Sequence, residues 1–371
     1  MENKENVNKI ILAGNGFDLA HGLKTGYKHF IDAFWVSERN KIINIFDMNR
    51  FIYDDEYITI DSPPVPGFIN RIKQISGFSF IEELEYLLRK EPSMAGKKFT
   101  LLYKNTFLRD ISKKSYLKNW VDIEVEYYMA LNKCREEKKG IEKLNKDFFM
   151  IQTELEKYLT TQNNNIEMFT EMNNLLNSII SPQNKDMTVN FDRDNNVLFL
   201  NFNYTNTIYF YAIDLQKYYK NKNLYIQIHG GLNNSKNRII FGYGDEIDDN
   251  YRLIESENNN DYLENVKSIK YLETDNYQKL LTFIDSNEYE IYILGHSCGI
   301  ADRTLLNTLF EHKNCLSVKV YYHKKNEDTD NYSDIIRNIP RNFKDKPLMR
   351  KVVLNKTACK PLPQFNEDEA P

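Results

Sequence analysis

The chain has 371 residues, of which 41% are hydrophobic and 27% are charged, as is normal for a globular protein. This composition excludes disordered and collagen-like chains, which are poor in large apolar residues or rich in glycine and proline. The 49 basic and 53 acidic side chains give a net charge of −4, so the chain as a whole carries no strong signal for nucleic-acid binding.

The first predicted element is a strand at Val7–Ala13, an apolar run that contains β-branched residues. Such runs are typical of strands buried on both faces of a parallel sheet. The sequence Gly14-Asn15-Gly16 then predicts a tight turn. Apolar side chains at helical spacing predict a helix over Tyr27–Trp35.

A helical insertion is predicted for residues 40–189. Apolar residues in this region recur three and four positions apart, and the longest such pattern is Ile141–Ile180. Because this pattern is longer than a lid over a site needs, we expect part of it to form a homo-oligomer interface.

Strand patterns resume after the insertion and alternate with helical patterns. Parallel strands need crossover connections, which are usually helices. The chain therefore predicts an α/β fold, a Rossmann-like and mostly parallel sheet flanked by helices and split into residues 1–39 and 190–325. A C-terminal helix and an irregular tail are predicted for residues 326–371. The later predicted strands are Val197–Asn203, Leu224–His229, Arg238–Phe241, Ile291–Leu294 and Leu316–Tyr322, and the later predicted helices are Thr205–Tyr219, Asn276–Ser286, Ala301–Phe310 and Asp330–Ile339.

Four motifs rich in glycine or polar residues fall where predicted strands end. In open α/β sheets, ligands bind beyond the carboxyl ends of the strands. The shared position of the four motifs therefore predicts one ligand site. The motifs are Gly14–Asp18, Asn201–Asn206, His229–Gly231 and Gly295–Asp302.

The glycines of the first motif have the spacing of half a dinucleotide-binding fingerprint. Gly14 and Gly16 would let backbone N–H groups approach a phosphate. Leu19 stands where the fingerprint has its third glycine, and the carboxylate of Asp18 would repel a diphosphate. The alternative is a turn stabilised by glycine, with Asp18 as a helix cap.

Asn203 and His229 are the main candidates for chemistry. The amide of Asn203 offers a donor and an acceptor, which suits a ribose hydroxyl or a positioned water, although asparagine also stabilises turns. His229 precedes two glycines that allow a substrate to approach, so it is either a general base or a hydrogen-bonded core residue. His21 and His296 are further candidates for the same cleft. Since the histidines lack the spacing of a metal site, we expect no metal.

Ser297 is a candidate contact for a ribose or a phosphate. Its surroundings match G-x-S-x-G, but no histidine follows on a late loop, as a serine hydrolase requires. Asp302 is predicted to cap or to stabilise the start of the next helix. Glu124 lies in an acidic stretch of the insertion, and its side chain either reaches the cleft or is solvated.

The order and the residues of these motifs resemble the bacterial abortive-infection AbiH family. That family is in turn distantly similar to the sirtuin-like domains of antiphage defence. The residues that carry the resemblance to AbiH are Ile11–Thr25, Trp120–Glu124, Phe202–Asn206, Ile228–Gly231 and Ile293–Asp302.

The similarity to sirtuin-like domains implies roles for several residues. Asp18 departs from the pattern, since those domains have Ser or Thr at this position, and Thr205 stands where they have Asp. The zinc-binding cysteines of protein deacylases are absent, which disfavours protein deacylation. The implied roles are phosphate binding for Gly14 and Gly16, ribose binding for Asn203, adenosine binding for Ser297 and the catalytic base for His229.

The resemblance implies an antiphage effector that hydrolyses the nicotinamide–ribose bond of NAD. His229 would accept a proton, Asn203 would orient water or a ribose hydroxyl, and Asp18 or Glu124 would stabilise the cationic transition state. The alternatives are an enzyme acting on another nucleotide or on a nucleic acid, and a non-catalytic sensor of a nucleotide or phage protein that acts through a partner. The residues expected to bind the nucleotide are Gly14, Asn15, Gly16, Asn206, Gly295, Ser297 and Glu124.

We expect a cytoplasmic protein without membrane contact. No stretch approaches the ~18 consecutive apolar residues of a membrane helix, and the first residues lack the features of a signal peptide. The four scattered cysteines predict reduced thiols rather than disulfides or a zinc site. The expected partners are a nucleotide, a second copy of the chain, and a phage-protein trigger or a partner defence protein.

Overall fold

The computed structural model of the protein describes residues 7–48, 50, 52–61, 68–77, 79–90, 100–118, 122–181, 196–218, 223–244 and 246–365. The strands are β1 (Asn8–Ala13), β2 (Ile52–Asp54), β3 (Ile58–Asp61), β4 (Thr100–Tyr103), β5 (Val197–Asn201), β6 (Asn223–Gln227), β7 (Tyr289–Leu294), β8 (Cys315–Tyr322) and β9 (Lys360–Pro361). The first eight α-helices are α1 (Asn15–Ala20), α2 (Tyr27–Asp47), α3 (Phe68–Lys73), α4 (Phe80–Lys90), α5 (Thr106–Lys118), α6 (Ile123–Glu137), α7 (Ile141–Asn163) and α8 (Thr170–Ile180). The later α-helices are α9 (Thr207–Gln216), α10 (Asp249–Glu255), α11 (Lys267–Lys270), α12 (Asn276–Ser286), α13 (Arg303–Phe310), α14 (Tyr332–Asn338) and α15 (Lys346–Val352).

The described residues form two compact units. One consists of described residues within Met1–Thr25, Leu159–Asn258 and Asn265–Pro371, and we call it the first unit. The other consists of those within Gly26–Tyr158 and Asn259–Glu264, and we call it the second unit.

The first unit contains a six-stranded sheet in the order β6-β5-β1-β7-β8-β9, and all its strand pairs are parallel. The central strand β1 pairs with β5 on one side and with β7 on the other. The chain order along the sheet reverses between β1 and β7, because β5 and β6 extend the sheet in one direction and β7 to β9 in the other. The predicted parallel sheet is thus confirmed.

Helices cover both faces of this sheet, because successive side chains of β1 point to alternate faces and all of them are buried. Ile10 and Leu12 point to one face, where they belong to a core with Leu280 of α12 and Leu305 of α13. The neighbouring residues of β1 point to the opposite face, where they pack into a second core with Tyr211 of α9. Since both faces are covered, every residue of β1 is buried, which explains the continuous apolar run in its last four residues.

The predicted strand at Arg238–Phe241 is wrong. This segment does not extend the sheet, because its backbone folds back over the end of β6 and pairs there locally. The amide of Ile240 donates to the carbonyl of His229 at 2.8 Å, and Gly231 donates to Asn237 at 2.9 Å. The edge position at the other side of the sheet is taken by β9, a strand of two residues in the predicted irregular tail.

The second unit is not purely helical, unlike the predicted insertion. It contains α2 to α6, α7 as far as Tyr158, and a three-stranded antiparallel sheet in the order β2-β3-β4. These strands have three or four residues each, so their apolar alternation is too short to be distinguished from a helical pattern. Trp35 lies in the core of this unit, where it stacks on Phe80 and donates to the hydroxyl of Ser112 at 2.8 Å.

Candidate functional site

Four loops of the first unit meet at the carboxyl edge of the parallel sheet. They follow β1, β5, β6 and β7, and each contains one of the motifs predicted to form the site. Backbone hydrogen bonds join neighbouring loops, since Phe202 donates to Ala13 at 2.9 Å and Ile228 donates to Asn201 at 3.0 Å. The candidate site is therefore a set of loops that follows directly from the strand register.

Gly14 and Gly16 allow the loops after β1 and β7 to touch. A Cβ atom on Gly14 would lie 2.6 Å from the Cα atom of His296, and one on Gly16 would lie 2.7 Å from the carbonyl oxygen of Gly295. The amide of Gly14 donates to Leu294 at 3.1 Å, and the amide of Gly16 donates to Gly295 at 2.7 Å. The N–H groups expected to approach a phosphate are thus hydrogen-bonded within the protein.

Asn203 joins the loop after β5 to the turn after β1. Its Nδ2 donates to the carbonyl oxygen of Gly14 at 3.0 Å, and its backbone amide donates to Oδ1 of Asn201 at 2.9 Å. The amide of Gln227 supports the same loop, because its Nε2 donates to three successive carbonyls, those of residues 203, 204 and 205. Asn203 is therefore held in one orientation from both sides.

His229 lies just beyond β6 and is 4% exposed. Its Nδ1 is 3.1 Å from the carbonyl oxygen of Phe202, which can only accept a hydrogen bond. Nδ1 therefore carries the proton of the neutral ring, and Nε2 is the basic atom. Nε2 lies 3.1 Å from the hydroxyl of Tyr271, whose ring stacks on the imidazole.

The carboxylate of Asp302 connects three basic side chains. Its Oδ1 lies 2.8 Å from Nζ of Lys267 and 3.3 Å from Nε2 of His229, and its Oδ2 lies 3.3 Å from Nε2 of His296. Nδ1 of His296 accepts a hydrogen bond from the amide of Cys298 at 3.0 Å. Nε2 of His296 therefore carries the proton and donates it toward Asp302.

The charges of this cluster determine its protonation. Burial lowers the pKa of His229, and the ammonium of Lys267 lowers it further, against the opposing effect of Asp302. Burial by itself would raise the pKa of Asp302, but Lys267 and His229 hold it well below its usual range. The cluster at neutral pH is thus a neutral imidazole next to a buried ion pair.

Asp18 lies below the loops rather than at their surface. Its side chain is 1% exposed, and its Oδ2 accepts a hydrogen bond from the hydroxyl of Thr205 at 2.6 Å. Oδ1 has no hydrogen-bond partner among the described residues, and burial raises the pKa of this carboxyl to about 6. Asp18 thus connects α1 to the loop after β5.

The other predicted nucleotide contacts differ in their surroundings. Asn15 is exposed and accepts a hydrogen bond from Thr25 at 2.6 Å, and Asn206 is half-buried at the start of α9. Ser297 is exposed on the loop after β7. Glu124 lies in the second unit, in the first turn of α6 after the cap residue Asp122, and Trp120 and Val121 lie outside the described residues.

His21 is placed in the apolar core of the first unit and not in the Asp302 cluster. Its Nδ1 bonds the carbonyl of Phe17 at 2.7 Å, and its Nε2 bonds the hydroxyl of Tyr211 at 2.8 Å. Burial lowers its pKa to about 4. It has the same kinds of hydrogen-bond partner as His229, a backbone carbonyl and a tyrosine hydroxyl. Unlike His229, it pairs with no carboxylate in the described part of the chain.

Lys267 and Tyr271 were missed by the sequence analysis, and Asp302 was assigned only to a helix start. Lys267 is 1% exposed, which is rare for lysine, but nothing in the local sequence marks it as buried. The one available signal is that Lys267 and Tyr271 are four positions apart, which places them on the same side of a helical turn. Within the described residues, no group of three or more His, Cys, Asp or Glu side chains is arranged to hold a metal ion.

These observations define an α/β protein with a buried histidine–aspartate–lysine cluster at the carboxyl edge of a parallel sheet. The chain matches the family model described as bacteriophage abortive infection AbiH over residues 10–323, a range that contains all four loops. The chain therefore belongs to the AbiH family, and this membership implies a function in bacteriophage abortive infection, as the resemblance indicated. No curated protein matches the chain. None of the helices in the described ranges is long and apolar enough to cross a membrane.

Proposed function

We propose that this AbiH protein hydrolyses the nicotinamide–ribose bond of NAD during phage infection, with His229 as the general base. The observation that carries this proposal is the fixed orientation of His229. Its Nδ1 is held by a backbone carbonyl, so Nε2 is the basic atom, and Oδ1 of Asp302 lies 3.3 Å from it. A base arranged in this way can accept a proton and have the resulting charge stabilised.

The topology of the sheet supports a nucleotide substrate. Numbered within this sheet alone, the strand order is 3-2-1-4-5-6, which is the order found in doubly wound dinucleotide-binding folds. In those folds the ligand binds where the strand order reverses. Here the reversal lies between β1 and β7, and the loops after these strands contain Gly14 and Ser297.

The reaction needs a base for water and an environment for a cation. The bond from the nicotinamide nitrogen to the ribose carbon breaks with its electron pair on nicotinamide, and water adds to the ribose cation. The proton of that water passes to the hydroxyl oxygen of Tyr271, whose own proton passes to Nε2 of His229, 3.1 Å away. The imidazolium is then held between the carbonyl of Phe202 and the carboxylate of Asp302, and it later releases the proton to solvent.

Other residues of the cluster act by positioning. Lys267 keeps Asp302 ionised, so that the carboxylate is available to the imidazolium and does not itself take the proton. Asn203 has its Nδ2 committed to Gly14, which directs its Oδ1 as the acceptor for a ribose hydroxyl or the attacking water. Asp18 acts in this proposal through Thr205, by holding the loop that contains Asn203.

A second candidate substrate is another nucleotide. The amides of Gly14 and Gly16 donate to protein carbonyls, so they do not serve as a phosphate cradle in this conformation. This observation favours a nucleotide whose phosphates are bound by other groups, such as the exposed hydroxyl of Ser297. The same base and the same carboxylate would act on it.

The test compares His229→Ala with His21→Ala in phage-infected cells. Both substitutions remove a buried imidazole that bonds a backbone carbonyl and a tyrosine hydroxyl, so the two variants lose the same kinds of hydrogen bond, and only His229→Ala also removes a ring next to Asp302. We expect His229→Ala to abolish phage protection and NAD loss, because a general base typically contributes about 10²–10⁴-fold in rate. His21→Ala should retain both functions if the variant folds.

Nicotinamide, NAD and ADP-ribose are measured by mass spectrometry, and the folding of both variants is measured by thermal melting. Equal loss of protection in the two variants would make His229 a structural residue. Protection that depends on His229 without any change in NAD would assign the site to the other nucleotide.

A further inference from the structure

The last part of the first unit carries a concentration of positive charge. We call Arg337–Lys360 the basic segment, because it contains eight basic residues and one acidic residue, Asp345. Since the whole chain carries −4 and this segment carries +7, the remaining residues carry −11. All eight basic residues are exposed. The segment lies after residue 323, where the family match ends.

Half of these cations have no ionic or hydrogen-bonding partner within the described ranges. Some exposed lysines elsewhere in the described part of the first unit pair with a carboxylate one helical turn away, as Lys217 does with Asp214 at 3.1 Å and Lys279 with Asp275 at 2.9 Å, but others do not. The basic segment differs from an ordinary solvated surface in its composition, because opposite charges alternate on such a surface and this segment has eight basic residues and one acidic residue. The four cations without a partner are Lys344, Arg350, Lys351 and Lys360.

Neighbouring carboxylates neutralise only part of the charge. Asp334 pairs with Arg337 at 3.2 Å, and Asp330 pairs with Lys356 at 2.7 Å. Asp345 caps α15 by accepting a hydrogen bond from the amide of Leu348. Glu311 also adjoins the segment, since its Oε1 accepts a hydrogen bond from the amide of Asp345 at 2.6 Å. With these four carboxylates counted, the surface of the segment still carries an excess of four positive charges.

The basic segment is attached to the loop after β7. Nδ2 of Asn338 donates to the carbonyl of Ser297 at 2.9 Å, and Nδ2 of Asn342 donates to the carbonyl of Cys298 at 2.8 Å. The turn between these asparagines contains the exposed Arg341. A ligand on this part of the segment would thus lie beside the candidate site.

We propose that the basic segment binds the phosphate backbone of a nucleic acid. A local excess of cations attracts a polyanion even on a chain of negative net charge, and guanidinium groups bind phosphate through paired hydrogen bonds. This binding surface is independent of the reaction proposed for His229.

The apolar residues of the segment argue against a membrane as its partner. Leu348, Met349 and Val352 of α15 pack against the core of the sheet. Between Arg337 and Lys360, all of which are described, no large apolar side chain is exposed. A helix that lies on a lipid surface inserts an apolar face, and α15 has none to offer.

The test measures binding of the full chain to fluorescein-labelled 20-nucleotide single-stranded RNA, single-stranded DNA and duplex DNA by fluorescence anisotropy. The test variant is Arg350→Glu/Lys351→Glu, which changes two exposed residues without partners. We expect wild-type binding at 50 mM salt to weaken as salt is added. For the single strands, loss of two phosphate contacts should reduce the slope of log K against log salt by roughly 1.4 and weaken binding at least about tenfold.

The control is Lys236→Glu/Lys279→Glu, which changes the net charge by the same amount. Lys236 follows β6, and Lys279 lies on α12, so both lie toward the edge of the sheet opposite β9. This variant should bind within about twofold of the wild type, since its residues make no phosphate contact.

Three results would overturn the proposal: no binding of any of the three oligonucleotides at 50 mM salt, equal weakening by both variants, or tighter binding of phosphatidylserine vesicles or polyglutamate than of the oligonucleotides. The relative affinities of RNA and DNA identify which nucleic acid the surface prefers. NAD hydrolysis is not part of this assay, so its absence would leave the result unchanged.

Discussion

Asp18→Asn is expected to stabilise the protein at neutral pH. Asp18 is buried, its Oδ1 lacks a partner among the described residues, and burial raises its pKa from 3.8 to about 6. At pH 7.5 the folded chain therefore contains an ionised carboxylate in a site that disfavours it. Asparagine has nearly the same shape, stays neutral and can still accept the hydrogen bond from Thr205.

The size of the effect follows from the change in pKa. A group whose pKa is raised on folding stabilises the folded state fully below its unfolded pKa, and this contribution is lost as the pH rises through the folded pKa. About two pKa units correspond to about 3 kcal/mol. Asp18→Asn should therefore raise the free energy of unfolding by up to about 3 kcal/mol at pH 7.5 and by much less near pH 4.

Hydrogen exchange of the β1 amides measures this change, because these amides lie in the core of the first unit and report its opening. Urea unfolding at pH 4.5 and 7.5 provides an independent measurement. A loss of stability at pH 7.5, or an equal gain at both values, would refute the reasoning. Phage protection by the variant shows whether Asp18 also contributes charge to the reaction.

Asp302→Asn is the contrasting substitution in the same unit. The pKa of Asp302 is held well below its usual range, so its contribution to stability is present at neutral pH and is lost as the pH falls. Asp302→Asn leaves Lys267 buried without its counter-ion, which typically destabilises a protein by about 3–5 kcal/mol. The two Asp→Asn changes should therefore have opposite signs at pH 7.5.

Three further predictions concern the same unit. His21→Phe should make thermal stability less dependent on pH. The imidazole has a pKa of about 4 in the folded state and 6.5 in the unfolded state, so its contribution to stability is complete above pH 6.5. The folded state loses roughly 3 kcal/mol of this contribution as the pH falls to 4. Lys267→Met should raise the pKa of His229, because the ammonium that lowers this pKa is removed. An NMR titration of the His229 ring, or the acid limb of the pH profile of hydrolysis, measures the change. An unchanged pKa would show that the ammonium has no influence. Gly14→Ala should destabilise the protein by about 1–3 kcal/mol and lower its melting temperature, because the new Cβ would clash with the backbone of His296. Gly299→Ala is the control. Its Cβ would meet only ordinary contacts, so this variant should melt within a degree or two of the wild type.

The sequence by itself determined the parallel sheet and the position of its loops. Strands buried on both faces need continuous apolar residues, and such runs make up most of β5 and the second halves of β1 and β7. The carboxyl ends of parallel strands lie at one edge, so the motifs with Asn203 and His229 were predicted to converge there. Hydrogen bonds do connect the loop after β5 to the turn after β1 and to the end of β6.

Short or irregular segments were decided by tertiary structure. The strands β2 to β4 and β9 have two to four residues, too few for a periodic signal, and form because partner strands lie beside them. Arg238–Phe241 has the composition of a strand, but the amide of Ile240 pairs with His229 in the loop after β6. The context of a segment outweighs its propensity when the segment is this short.

The electrostatic part of the candidate site was also decided only by the tertiary structure. Asp302 contacts Lys267 and two histidines that are separated from it by 6 to 73 positions in the chain. Lysine is usually solvated, and its burial here depends on the fold bringing a carboxylate within 2.8 Å. Periodicity and glycine spacing are local properties that a sequence records, whereas the burial and pairing of charges arise from contacts between distant segments.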